Sequence, residues 1–359
     1  MLFEPCSARS LQLSNRMVMA PMTRSRASPA HLPDALMAQY YGQRASAGLI
    51  ITEGTSPSPN GLGYPRIPGL YDEAQESAWK AVTRAVHDKG GKIFLQLMHT
   101  GRVTNLANLP PGAEVLGPTA DVCPGEMYTD SMGLQPHSPP RPMTAADIEH
   151  AVGEYAHSAR LAIEAGFDGI ELHGANGYLI EQFLNPIVNS RLDGYGAGVA
   201  GRNRFAIEVA RATVAAVGGE RVGIRLSPYG VFNGTGEFPD LKVQFLALAA
   251  ALSSLGLIYI HLVDHSSMGA PVVPADFKLA LRAAFNGLFI LSGGFDRGSA
   301  ELALAQKRAD LIAFGRPFLA NPDLVARLRM NAPLNVPDMS TFYVPGPKGY
   351  TDYPCLAAG

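Results

Sequence analysis

Short apolar runs alternate with longer amphipathic segments almost from one end of the chain to the other. Eight runs, at 16–20, 49–52, 92–97, 169–172, 222–226, 258–263, 288–292 and 311–314, are too short for helices and mostly rich in Val, Ile or Leu, so the pattern predicts strands. The amphipathic stretches between them predict helices near 33–46, 73–89, 145–165, 202–217, 242–255, 274–285, 299–307 and 322–330. Thr144-Ala-Ala-Asp147 reads as a capping box, and Gly90-Gly91, Gly166, Gly218-Gly219 and Gly256 stand where helix ends need left-handed residues.

Near-continuous apolar strands separated by helices imply a parallel sheet with helices on its faces. Eight such units predict an α/β fold, a closed (β/α)8 TIM barrel forming one domain over 1–359. A doubly wound open sheet is disfavoured, because Ala20-Pro21-Met22-Thr23-Arg24 bears no likeness to the glycine-rich turn that follows the first strand of that fold. No P-loop and no repeat of fixed period occur. The interval 98–143, rich in Pro and Gly, is too long for a simple connection and reads as a lid or pocket wall, and 331–359 as a segment completing that wall.

Composition narrows the function classes. The 359 residues are 47% hydrophobic and 17% charged with a formal net charge of -2, which excludes disorder and lacks the basic footprint of a general nucleic-acid binder. No charged residue occurs between Lys242 and Asp264, and a membrane span needs only about 20 apolar residues. Ser253-Ser254 and Gly256 divide that run, however, into what should be a buried helix followed by a buried strand. Cys6, Cys123 and Cys355 form no C-x-x-C pair and no cluster for zinc or iron–sulfur chemistry. The first residues lack the basic and apolar regions of a signal peptide, so a cytoplasmic location is expected.

In a barrel of this kind, active sites form at the carboxyl ends of the strands. Those ends offer Thr23, Glu53-Gly54, Gln96, His173 with Asn176 and Tyr178, Arg225, Asp264-His265, Gly293-Gly294 and Gly315-Arg316. Any one of them could be a polar residue meeting water; together they aim imidazole, amide, phenol and guanidinium groups at one mouth. The turns after strands 7 and 8 occupy the usual phosphate position of the fold, where glycines let backbone N–H groups approach and Arg316 adds a paired charge. His261 and His265 lack the helix and carboxylate partner of a metal pair, so with Asp264 they read as pocket rim or structure.

Six segments occur in order: Asn15-Arg-Met-Val-Met-Ala-Pro-Met-Thr-Arg24, Tyr40-Tyr-Gly-Gln-Arg-Ala-Ser-Ala-Gly-Leu-Ile-Ile-Thr-Glu-Gly54, His173-Gly-Ala-Asn-Gly-Tyr-Leu-Ile-Glu-Gln-Phe-Leu184, Arg225-Leu-Ser-Pro-Tyr-Gly230, Ala313-Phe-Gly-Arg-Pro-Phe318 and Gly349-Tyr-Thr-Asp-Tyr-Pro354. Together they give the chain a resemblance to the Old Yellow Enzyme family of FMN-dependent NAD(P)H ene-reductases. The resemblance implies tightly bound, non-covalent FMN, with Pro21, Met22 and Thr23 at the flavin ring and Gly54 and Gln96 completing its polar edge. It implies Arg225 beside the N1 and C2-carbonyl region, and Gly293, Gly294, Gly315 and Arg316 on the phosphate. His173 and Asn176 correspond to the donors for the acceptor's carbonyl or nitro oxygen, and Tyr178 to the proton donor. Tyr64, Met98, Phe342 and Tyr343 would form the substrate and nicotinamide walls.

The expected activity is reduction of activated double bonds in enones, enals, quinones or maleimides by NAD(P)H, with nitro compounds and nitrate esters as further acceptors, in a monomer or homodimer needing no nucleic acid or membrane. Because the fold hosts many chemistries, a flavin-free isomerase or lyase acting on a phosphate substrate is the alternative, and a non-catalytic flavin-binding protein another. Two departures from the family pattern stand out. Met98 replaces a tryptophan common in relatives, and the glycine-rich run Asp193–Asn203 predicts a looser local turn.

Overall fold

A computed structural model describes residues 1–357. Eight parallel strands, β1 (Met17–Met19), β2 (Leu49–Ile51), β3 (Ile93–Leu97), β4 (Gly169–Gly174), β5 (Val222–Leu226), β6 (Tyr259–Val263), β7 (Leu288–Ser292) and β8 (Leu311–Phe314), pair in chain order, and β8 returns to β1 to close the barrel. All eight coincide with the apolar runs to within a residue or two.

The helices are α1 (Ala35–Gln43), α2 (Glu73–His87), α3 (Ala145–Glu164), α4 (Leu179–Leu184), α5 (Val199–Val217), α6 (Leu241–Ser254), α7 (Ala275–Ala283), α8 (Arg297–Ala305), α9 (Arg316–Ala320) and α10 (Leu324–Met330). The capping box forms at the start of α3, where the Thr144 side chain accepts from the Asp147 N–H and Asp147 accepts from the Thr144 N–H. The charge-free run divides into α6 and β6, and no helix among the described residues is long and apolar enough to cross a membrane.

Two apolar layers result. One face of the strands meets the helices, so that Ile50, Leu95, Leu172 and Ile224 share a layer with Trp79, Phe205 and Leu248. The barrel interior holds Val18, Ile51, Phe94, Tyr259, Ile290 and Leu311, and is plugged from below by Cys6, Leu11 and Leu13 of an antiparallel hairpin, Cys6–Ala8 with Leu11–Leu13. Register places the chemistry-bearing residues in rows, Glu171 opposite Gln96, and His173 opposite Arg225, which is opposite His261.

The structure departs from expectation at several points. α4 and α9 were not expected, α5 begins at Val199 instead of residue 202, and α10 begins at Leu324, two residues late. The interval 98–143 contains the hairpin Glu126–Thr129 with Gly133–Pro136 and a short parallel pair, Leu116–Gly117 with Arg141–Pro142. The glycine-rich run is tight, not loose. Arg191 pairs with Asp193, the Ala197 N–H returns to the Arg191 carbonyl, and a Cβ at Gly196 or Gly201 would overlap the carbonyls of Arg191 or Gly196. Close approach, not slack, demands glycine there.

Candidate functional site

A cavity of about 630 Å³ opens at the carboxyl ends of the strands. Of the residues singled out from the sequence, Pro21, Met22, Thr23, Gln96, Met98, His173, Asn176, Tyr178, Arg225, Gly293, Gly294, Gly315, Arg316, Phe342 and Tyr343 all line it. Gly54 and Tyr64 do not. A Cβ at Gly54 would overlap the Met98 side chain, which stands between this residue and the cavity lining. Tyr64 stands one layer back, accepting a hydrogen bond from the Tyr178 hydroxyl at 3.0 Å with the two rings edge to face.

The segment leaving β4 is rigidly held. Asn176 has φ +61°, a left-handed conformation tolerable for Asn. Its N–H donates to Ser227 Oγ at 2.8 Å, its carbonyl accepts from Asn233 Nδ2 at 2.7 Å, and Ser227 Oγ donates to Glu181, which also accepts from the Gly177 N–H at 2.6 Å. The Ala175 N–H donates to His173 Nδ1 at 3.3 Å, so the imidazole carries its proton on Nε2. Burial, reinforced by the Arg225 charge, holds His173 well below the usual histidine range, leaving it neutral. Its ring meets Tyr178 edge to face at 4.9 Å, and burial pushes the Tyr178 phenol up to about 12. An imidazole N–H, a carboxamide and a phenol thus share one wall of the cavity.

Polar groups also floor the cavity. Gln96 Nε2 donates to Glu171 Oε1 at 2.7 Å, and Glu171 Oε2 lies 2.9 Å from His261 Nδ1. Arg225, opposite both histidines in register, is buried, yet its Nε has no hydrogen-bond partner and its guanidinium enters no ion pair among the described residues. A buried guanidinium without an acceptor is costly unless a ligand supplies one. At the far end, Gly293 (φ +132°) and Gly294 (φ +66°) turn the chain after β7, and a Cβ at Gly293 would overlap the Asp264 carbonyl.

Sequence reasoning missed how the third wall is built. Arg24 and Arg26 donate to the carbonyls of Thr341, Phe342, Gly346, Lys348 and Gly349, and Arg44 reaches those of Phe318, Leu319 and Tyr350. The Tyr40 and Tyr350 rings stack 4.0 Å apart within this cluster. The segment bearing Phe342 and Tyr343 is thus tied to the loop after β1, which bears Met22 and Thr23. It also missed Ser267, Met268 and Met339 on the rim, and the contact of His265 with Asn176. No periodicity marks such residues; Ser267 and Met268 had only their position just beyond a strand as a signal, and Met339 had none.

A family profile described as NADH:flavin oxidoreductase / NADH oxidase matches residues 1–335. The chain belongs to this family. It is 44% identical to a chanoclavine-I aldehyde reductase of Penicillium roqueforti, over 98% of this chain and 95% of the relative. It is 41% identical to a probable flavin mononucleotide-dependent alkene reductase of Leishmania infantum, over 99% of this chain and 97% of the relative. The solved structure of morphinone reductase in complex with tetrahydroNAD superposes with a TM-score of 0.94 at 43% identity, covering 99% of this chain and 97% of that one. As a member of the family, the protein is an oxidoreductase that uses FMN and a nicotinamide reductant.

The residues present fit an FMN. A flavin's pyrimidine edge offers carbonyl acceptors and an N–H donor. The unpartnered Arg225 guanidinium supplies donors, and Gln96, whose Nε2 is engaged by Glu171, keeps its carbonyl oxygen available as an acceptor. Arg316, exposed and free of ion pairs among the described residues, matches a phosphate at the other end of the same cavity.

Proposed function

We propose that the protein is an NAD(P)H-dependent ene-reductase acting on activated carbon–carbon double bonds in enones, enals, quinones or maleimides, with nitro compounds and nitrate esters as further acceptors. The observation that carries this reading is the convergence of His173, Asn176 and Tyr178 from one short, rigid segment onto a cavity floored by an unpartnered guanidinium. Bound FMN supplies hydride, taken from the nicotinamide and delivered to the acceptor's β-carbon.

In this reading Thr23, Gln96 and Arg225 hold the flavin's polar edge, while Gly293, Gly294, Gly315 and Arg316 hold its phosphate. The fixed positive charge of Arg225 favours whatever negative charge builds beside it. His173 Nε2–H and the Asn176 amide donate to the acceptor's oxygen, and such donors count most where charge develops during the reaction. Tyr178 Oη, protonated at neutral pH, delivers a proton to the α-carbon, and Tyr64 steadies the phenol. Met98, Phe342 and Tyr343 offer flat or pliable apolar walls. Because one mouth serves both nicotinamide and acceptor, ping-pong kinetics are expected. The test is an anaerobic screen in which NADPH-reduced protein is mixed with cyclohexenone, N-ethylmaleimide and a nitroalkene. Rapid acceptor-dependent reoxidation supports the reading; colourless protein, or yellow protein that no acceptor reoxidises, overturns it.

A further inference from the structure

We propose that His265 is a positioning residue that fixes the Asn176 carboxamide with its NH2 group toward the acceptor. A carboxamide has two ends of nearly equal size and opposite polarity. Which end faces the cavity decides whether Asn176 donates to an acceptor's oxygen or repels it.

Asn176 Oδ1 lies 2.7 Å from His265 Nε2. Its backbone is pinned on both sides, by Ser227 and by Asn233, so the side chain cannot escape this contact by a shift of the main chain. The imidazole is equally constrained. Its ring stands edge to face on Phe232 at 4.6 Å, and the preceding Asp264 accepts from the Ser266 N–H at 2.9 Å and from Lys278 Nζ at 2.6 Å. Burial and the Arg225 charge push His265 down to about 4, so at neutral pH the ring carries a single proton.

Two arrangements follow. With the proton on Nε2, Asn176 Oδ1 accepts and Nδ2 is free to donate, alongside His173 Nε2–H. With the proton on Nδ1, the amide must turn over, Nδ2 donates to His265, and a carbonyl oxygen faces the acceptor's oxygen. The structure holds the first arrangement, which makes the wall a pair of donors.

The consequence differs between the two ligands of the ene-reductase reading, on which this inference rests. An enone oxygen only accepts, so it needs the amide in one orientation. The nicotinamide carboxamide carries both an acceptor and a donor and can rotate to match either. His265 therefore matters more for the acceptor half-reaction than for the nicotinamide half-reaction.

The test compares His265→Leu, which removes the donor, with His265→Gln, whose amide can restore it, by anaerobic stopped-flow absorbance on FMN-loaded protein. Loss of one oxyanion donor costs about 10²–10³-fold, and a misturned donor less, so His265→Leu is expected to slow cyclohexenone-driven reoxidation by about ten- to a hundredfold. Reduction by NADH should slow no more than about threefold, and His265→Gln should recover most of the loss. In parallel, ¹⁵N NMR of histidine-labelled, FMN-loaded wild type should show His265 protonated on Nε2. Equal slowing of both half-reactions, no slowing of either, failure of His265→Gln to rescue, or a proton on Nδ1 would each overturn the proposal. If wild type is reoxidised by no enone, the ene-reductase reading fails instead, and the tautomer still decides the orientation of the amide. The tautomer likewise decides if His265→Leu cannot hold FMN.

Discussion

Replacing Tyr178 with Phe removes one oxygen and little else. The ring keeps its edge-to-face contacts with His173 and Tyr64 and its packing near Met98 and Val103. The fold loses one hydrogen bond, to Tyr64, worth about 1 kcal/mol. On the proposed ene-reductase reading the acceptor half-reaction loses its proton donor, and a positioned general acid contributes about 10²–10⁴-fold, or about 3–5 kcal/mol of barrier. Because burial lifts the phenol from its ordinary value near 10 to about 12, the acid form persists through the accessible range, and the wild-type acceptor rate should be flat with respect to Tyr178 from about pH 6 to 10. Stopped-flow absorbance at the flavin band measures both halves: reduction by NADPH should be nearly unchanged in Tyr178→Phe, while reoxidation by cyclohexenone should fall at least a hundredfold. Equal loss in the two halves, or intact reoxidation, would refute the assignment of the proton to this phenol.

Arg225→Leu should weaken FMN retention and make the bound flavin harder to reduce, since a charge in contact with the ring edge is worth about 4 kcal/mol at an effective dielectric near 20; spectroelectrochemical titration should show a lower midpoint potential, and an unchanged one would place the cation elsewhere. Burial raises Glu181 to about 7, above its ordinary value near 4.3, so its neutral form stabilises the fold at low pH and that contribution is lost as pH rises through 7, by up to about 3 kcal/mol. Thermal unfolding should therefore show Glu181→Gln less sensitive to pH between 5 and 7 than wild type, with Glu53, also raised to about 7 by burial, contributing a slope of the same sign. Gly54→Ala forces the Met98 thioether to move. Methionine is pliable, so a stability loss of about 1–2 kcal/mol is expected, while KM for bulky acceptors rises severalfold; unchanged kinetics across acceptor sizes would show that Met98 does not shape the pocket.

The strands were legible because a parallel barrel buries each on both faces, and runs such as Ile258–Val263 have few other uses. The strand-end rule then located His173, Arg225 and Gly293 without any tertiary information. α4 was hidden because all six of its residues are buried, which erases the amphipathic stripe. The hairpin closing the barrel floor has strands of three residues each, below the length at which alternation can be read. Glu171 escaped, and with it the carboxylate partner that His261 lacked in sequence, because the pair forms through register across β3, β4 and β6, a property no single segment records. The glycine run at 193–203 was misread for a related reason: lack of a side chain signals freedom in sequence, whereas the packed neighbours that require it are distant atoms brought close by folding.

The grip of Arg24, Arg26 and Arg44 on residues 341–350 has a bearing on how such an enzyme can diversify. The three cations hold peptide oxygens, which every amino acid supplies alike, so the fastening does not depend on what projects from the same backbone. Phe342, Tyr343 and Val344 can be exchanged while the tether stays in place. A body built in this way can change its taste in acceptors at its carboxyl-terminal margin without renegotiating the barrel beneath.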